Sequence, residues 1–143
     1  MIDNISIDNL HLGCQAKNKA AVLDMVGKIF MEKGYVDQDC IAFLNERERQ
    51  VSTFLGNGIT LPHLPKSATS IIVKKGIEIF QFPDGIRWDR STVMFITIGV
   101  IAKEQEHIDV LKQVASIFSD EIIANALSLI SNKEDFFRII NRG

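Results

Sequence analysis

The sequence predicts an α/β protein: a three-layer α/β/α sandwich around a small mixed β-sheet, with elements in the order β-α-α-β-β-β-α-α-α. Three observations carry this. Val93–Ile101, "VMFITIGVI", is almost wholly apolar, as a central strand must be when both its faces are covered. Apolar residues recur at helical spacing both before and after that run. No repeat, low-complexity tract or Pro/Gly/Ser-rich linker interrupts the 143 residues, so residues 1–143 are expected to form one domain.

The elements follow in order. A short extended segment is expected around His11–Cys14. A helix follows from about Asn18 to Lys33, because Val22, Val26, Ile29 and Phe30 share one face. Asn18 is placed to cap its start and Gly34 to end it. Asp37 is the expected cap of a second helix reaching Arg49, with Ile41 and Leu44 turned inward. From Val51 to Thr69 the period is lost and Gly, Asn, Pro and Thr accumulate. Long irregular segments inside compact domains are usually functional.

Strands are expected at Ser70–Val73, Ile77–Phe82 and Val93–Ile101, with Pro83-Asp84-Gly85 as a tight turn between the last two. Three helices then close the chain. His107–Phe118 places Ile108, Leu111, Ala115 and Phe118 on one face, and Glu121–Ile130 presents Ile122, Ile123, Ala126 and Leu127. Glu134–Asn141, with Asn132 as its cap, presents Phe136, Phe137 and Ile140.

Composition narrows the function. A net charge of −2 and a pI near 5.9 give no whole-chain signature of nucleic-acid binding. The longest apolar run, Val93–Ala102, is about half the length a bilayer-spanning helix needs, so no direct membrane insertion is expected. The N-terminal "MIDNISIDNL" carries acids and no basic region, unlike a signal peptide. Cys14 and Cys40 lack CxxC spacing and read as reduced thiols, so the expected location is cytoplasmic. Neither a Walker pattern nor GxGxxG is present. His63 and His107 have no third good ligand at metal-site spacing, so neither metal nor cofactor is expected.

Chemistry concentrates in three places. In "NGITLPHL", Pro62 fixes its own φ and biases Leu61 to an extended conformation, while Gly56 and Gly58 free the backbone before it. A loop so constrained holds His63 at little entropic cost, as a nucleophile, a ligand or a structural turn residue. His107, in "KEQEHIDVL", stands near a helix start after the central strand, a favoured site location in α/β proteins. Its ordinary reading is a solvated first-turn histidine. Arg47, in "NERERQVST", sits at the end of the second helix, where arginine commonly does no more than meet the helix dipole. Brought together, the three would suit phosphoryl chemistry: imidazole is nucleophilic near neutral pH, and guanidinium binds phosphoryl oxygens bidentately. His11 reads as an ordinary strand or surface residue. Trp88 and the phenylalanines read as core or interface.

The segment Arg47–His63, "RERQVSTFLGNGITLPH", resembles the signature of enzyme IIA domains of the fructose/mannitol class. These belong to the bacterial phosphoenolpyruvate-dependent sugar phosphotransferase system. The likeness lies in Arg47-Glu48, Ser52-Thr53, Gly56-Asn57-Gly58, Ile59 to Leu61 and Pro62-His63, and continues in "IGVIAKEQEHIDVL", Ile98 to Leu111. "FPDGIRWD" resembles the mannitol branch more than the nitrogen-related regulatory branch. The resemblance implies a mixed α/β fold and three roles. His63 would be the phosphorylated nucleophile, His107 would donate a hydrogen bond to the phosphoryl group, and Arg47 would stabilise its charge.

It also implies a donor, the phosphocarrier protein HPr, and an acceptor, a cysteine on the enzyme IIB domain of a sugar permease. The function implied is uptake of mannitol or a related polyol or sugar. The alternative is a regulatory protein whose phosphorylation state controls partner binding. Two partners must reach the histidine, so the site is expected at the surface, with Leu64, Phe54 and Ile59 as candidates for an apolar rim and a buried role equally open for Phe54 and Ile59.

Overall fold

Asn18 caps the first long helix as its position predicts: its side chain accepts the Ala21 N–H at 2.9 Å. In the computed structural model, which describes Ile2 and residues 5–142, this helix is α1, Lys19–Glu32. It buries Val22, Leu23, Val26 and Phe30 and ends where Gly34 takes a φ of 72°. The next helix, α2, covers Ile41–Gln50, starting later than an Asp37 cap would give. Asp39 supplies the capping oxygen, accepting the Ile41 N–H at 2.9 Å. The Asp37 N–H is instead bonded to the Ile71 carbonyl at 3.0 Å.

A five-stranded mixed sheet forms the central layer, in the order β1-β4-β5-β3-β2. Its strands are β1 (Leu10–His11), β2 (Phe54–Gly56), β3 (Ile59–Thr60), β4 (Gly76–Arg87) and β5 (Val93–Ile101). β1 runs parallel to β4, β4 antiparallel to β5, β3 parallel to β5, and β2 antiparallel to β3. Helices cover both faces, as a three-layer sandwich requires. α1 and α2 pack on one side with Phe80, Phe82, Met94 and Ile101. On the other side lie α3 (Glu104–Phe118), α4 (Glu121–Leu129) and α5 (Lys133–Arg142), packed with Ile77, Ile79, Ile96, Ile98 and Val100. Over Ile77–Phe82 and Ile96–Ile101 the alternation of β4 and β5 residues between these two clusters is the period-2 geometry of a sheet buried on both faces.

Three expectations change here. No strand forms over Ser70–Val73: Lys66–Ile71 is a 3-10 helix, and only Ile72 makes an isolated bridge, to Val36. The segment after Val51 is not wholly irregular, since it contains the β2–β3 hairpin. Pro83-Asp84-Gly85 does not turn the chain. β4 runs straight through it as a bulge, with Gln81 opposite Ile96 and Ile86 opposite Met94, so Phe82 to Gly85 stand against Phe95 alone. Gly85 takes a φ of 77°, and a Cβ there would come within 2.8 Å of Val93. The true turn lies at Trp88–Thr92, closed by the Trp88 N–H on the Thr92 carbonyl and by Asp89, which accepts from Ser91 and Thr92.

Close packing of α1 on the sheet depends on Gly99, where a Cβ would stand 2.8 Å from Val26 and 2.9 Å from Phe30. Among the last three helices, α5 buries Phe136 and Ile140 as expected. α3 instead turns Val110, Val114, Ile117 and Phe118 inward and leaves Ile108 and Ala115 exposed, and α4 buries Ala124 and Leu127 and leaves Ile122 exposed. α3 begins at Glu104, so His107 lies within its first turn. Asp120 caps α4, and Asn132 caps α5 by accepting the Asp135 N–H at 3.0 Å.

Candidate functional site

His63 is placed by the sheet. Beyond β3 the chain stays extended: the Val100 N–H bonds to the Pro62 carbonyl at 3.0 Å, and His63 makes a parallel bridge to Val100. The turn before β3 bends through positive φ at Gly56, Asn57 and Gly58, of 102°, 51° and 76°. Its Asn57 side chain donates to the Phe118 carbonyl at 2.9 Å, tying the turn to the end of α3.

His107 arrives from the neighbouring strand. β5 ends at Ile101, and α3 carries His107 back over the end of the sheet. The two imidazole centroids lie 4.5 Å apart, with their planes inclined at 39°. Arg47 enters from the last turn of α2, where its Nη1 donates to the Val51 carbonyl at 2.8 Å. All three side chains line one surface pocket of about 750 Å³, walled also by Val51, Leu64, Lys66, Val100, Glu104 and Ile108. The structure thus brings together the three residues that the sequence singled out.

The chemistry of His63 follows from its partners. Its Nδ1 lies 2.8 Å from the Leu61 carbonyl oxygen, which can only accept. Nδ1 therefore carries the proton, and Nε2 holds the lone pair. Burial lowers the pKa of His63 to about 4. His107 and Arg47 push it in the same direction, while the Leu61 carbonyl and Glu48 act against the shift. His107 is also held below its ordinary value, by burial and then by the Arg47 charge. Both rings are consequently neutral at pH 7. What results is one imidazole with a free nitrogen, a second imidazole stacked obliquely on it, and a cation in a shared pocket. That arrangement can attack an electrophile and meet the negative charge it brings.

Among the described residues, no group of three or more His, Cys, Asp or Glu side chains stands close enough to hold a metal ion. No helix among them is long and apolar enough to cross a membrane.

Of the rim candidates, Ile59 and Phe54 take the buried role that was open to them. Ile59 is a core residue, 1% exposed, and Phe54 is half-buried against the α1–α2 side. Leu64 does line the pocket. It is joined there by two exposed side chains, Val51 and Ile108, the latter expected from periodicity on the inward face of its helix. His11 is structural: it stacks on Phe80 at 4.6 Å and bonds the buried Glu78 at 2.7 Å. Cys14 and Cys40 are free thiols, and burial raises the pKa of each.

Sequence reasoning passed over Glu48. Its carboxylate is buried and takes hydrogen bonds from Thr53 Oγ1 at 2.6 Å, the Thr53 N–H at 3.2 Å, Lys19 Nζ at 3.1 Å and Trp88 Nε1 at 3.1 Å. A glutamate flanked by arginines, as in "NERERQ", reads as a solvated helix face. The missed signal is its four-residue spacing from the inward Leu44, which puts both on the buried side of α2.

Solved structures share this fold. IIA mannitol from Escherichia coli superposes with a TM-score of 0.89 at 24% identity, covering 96% of this chain and 99% of that one. A complex of enzyme IIA mannitol with phosphorylated enzyme IIB mannitol, also from Escherichia coli, gives 0.91 at 23% identity, covering 98% and 99%. The fold is therefore that of the mannitol-type IIA proteins. The chain belongs to the family described as phosphoenolpyruvate-dependent sugar phosphotransferase system, EIIA 2, whose model matches residues 4–143.

Its relatives agree. It is 32% identical to the mannitol-specific phosphotransferase enzyme IIA component of Bacillus subtilis, over 94% of both chains. It is 34% identical to a multiphosphoryl transfer protein of Haemophilus influenzae, over 95% of this chain and 27% of that one. The chain spans about a third or less of the length of the first curated relatives it matches.

Proposed function

We propose that this chain is a cytoplasmic phosphoryl carrier of sugar uptake. It takes a phosphoryl group from phospho-HPr on Nε2 of His63 and gives it to a cysteine of an enzyme IIB domain, for mannitol or a related polyol. The single observation that carries this reading is the His63 geometry. A neutral imidazole has its Nδ1 proton pinned to a carbonyl and its Nε2 free in a pocket shared with Arg47 and His107.

The step is a displacement at phosphorus. The Nε2 lone pair forms the new N–P bond as the donor's N–P bond breaks, and the donor imidazole leaves with that electron pair. Little is asked of the protein beyond position and charge. Nδ1–H stays on the Leu61 carbonyl throughout, so the positive charge left on the ring is met by that oxygen. Arg47 binds equatorial oxygens, and His107 donates a hydrogen bond to the phosphoryl group. In the second step a thiolate displaces Nε2, and His63 returns to its starting state. Val51, Leu64 and Ile108 form an apolar rim that a docking partner covers.

The choice of a transport role over a regulatory one rests on names borne by relatives above 30% identity. The Bacillus subtilis and Staphylococcus aureus proteins are called mannitol-specific enzyme IIA components. The test is phosphate transfer from phospho-HPr to this protein, then to a panel of IIB domains. Transfer onward to a mannitol-type IIB domain is expected. A protein that accepts phosphate but passes it to no IIB domain would overturn the transport reading.

A further inference from the structure

Adjacent residues at the end of α2 grip the segment that leads to the site. Arg47 holds the Val51 carbonyl at 2.8 Å, and Glu48 holds the Thr53 N–H at 3.2 Å and its hydroxyl at 2.6 Å. The connection continues by single hydrogen bonds. The Thr53 carbonyl accepts the Leu61 N–H at 3.0 Å, and the Leu61 carbonyl accepts Nδ1–H of His63 at 2.8 Å. Three bonds therefore join a buried carboxylate to the imidazole proton that decides which ring nitrogen is free.

The carboxylate is itself fixed from outside the site. Lys19 from the start of α1 and Trp88 from the β4–β5 turn both donate to Oε2, and the Lys19 ammonium lies 5.0 Å from the centre of the Trp88 ring. A buried carboxylate with four donors has a single low-energy position. So does whatever it holds.

We propose that Glu48 is the positioning residue of the histidine site: through Thr53 and Leu61 it fixes the tautomer and orientation of His63 that leave Nε2 free to react. This rests on the phosphoryl-transfer reading for its consequence, although the tautomer itself is a property of the unphosphorylated protein. The charge of Glu48 also acts on His63 in the opposite sense to those of Arg47 and His107. Glutamine in its place keeps an acceptor for Thr53, but its amide nitrogen cannot accept from Trp88 or Lys19. The side chain must then rotate or withdraw, and the strap with it.

The experiment compares wild type, Glu48→Gln and Trp88→Phe by ring-nitrogen NMR of His63 and by steady-state phosphoryl uptake from phospho-HPr. In wild type His63 is wholly the Nδ1–H tautomer. In Glu48→Gln the Nε2–H tautomer becomes visible, and kcat falls about tenfold to a hundredfold with KM for the donor little changed, the mark of a misplaced reacting group.

Trp88→Phe removes one anchor of the carboxylate but leaves the Thr53 strap. It is expected to lower stability while keeping the wild-type tautomer and rate. A folded Glu48→Gln protein with wild-type tautomer and kcat within twofold overturns the proposal. Should Glu48→Gln not fold, Glu48→Asp keeps the charge but draws the carboxylate back by one methylene from both the Thr53 N–H and the Thr53 hydroxyl. Wild-type values for both readouts in that variant overturn it equally. Failure of wild type to take up phosphate would count against the phosphoryl-transfer reading and leave the tautomer comparison standing.

Discussion

Lowering the pH separates a buried, carbonyl-bonded His63 from an ordinary one. Its pKa is held near 4, against 6.5 for an unperturbed imidazole, chiefly by burial. At pH 5 about 90% of His63 is therefore neutral, where an unperturbed histidine would be about 3% neutral, a difference of about thirtyfold in competent nucleophile. The direct assay is a ring-nitrogen or ring-carbon NMR titration of His63 from pH 8 to pH 3. The midpoint is expected near 4, with the Nδ1–H tautomer dominant above it.

Linkage gives a second readout of the same quantity. The unfolded chain takes up this proton near pH 6.5 and the folded chain only near 4, so stability from this residue is complete above 6.5 and lost as the pH falls to 4. The loss reaches about 3 kcal/mol. Denaturant curves of wild type and His63→Gln, each at pH 7 and pH 4, isolate it, because other titrating groups are common to both proteins. A midpoint at or above 6.5, or equal pH dependence in the two proteins, would refute the reasoning from burial and the Leu61 carbonyl.

Three substitutions follow. Arg47→Ala is expected to slow phosphoryl uptake by about a hundredfold through lost charge stabilisation, measured as single-turnover transfer from phospho-HPr. A rate within twofold of wild type would remove Arg47 from the reaction. Gly99→Ala places a Cβ against Val26 and Phe30, both fully buried, and is expected to cost about 1–3 kcal/mol in a urea melt while leaving the His63 titration unchanged. Glu78→Ala should be the more damaging. Asn9, His11, Lys33 and Tyr35 all donate to this fully buried carboxylate, and these partners overcome burial to hold its pKa near 2. Its removal strands a half-buried lysine and should cost about 3–5 kcal/mol by the same melt.

How far the sequence could be read depends on the range over which each signal acts. α1 was legible because Asn18, an apolar face and Gly34 are all local features. β5 was legible because both of its faces are covered by helices. The β2–β3 hairpin was not, since its strands are two and three residues long and the turn residues around them dominate any window. Pro83-Asp84-Gly85 has the chemistry of a turn, yet β4 passes through it as a bulge because Ile86 and Arg87 recover pairing with Met94 and Val93. Ser70–Val73 is β-branched enough to suggest a strand, but only Ile72 finds a partner. His63 was marked by glycine and proline beside it. Glu48 was hidden, because its partners Lys19, Thr53 and Trp88 come from three separate parts of the chain.

The proposed carrier function stands or falls with phosphoryl transfer to Nε2 of His63. The most direct measurement is to incubate the protein with phospho-HPr and locate the label, by peptide mapping under alkaline conditions and phosphorus–nitrogen coupling in NMR. One phosphoryl group is expected, on Nε2 of His63, and none on a folded His63→Ala protein. Label on Nδ1, on His107 or His11, or on the His63→Ala protein, would contradict it.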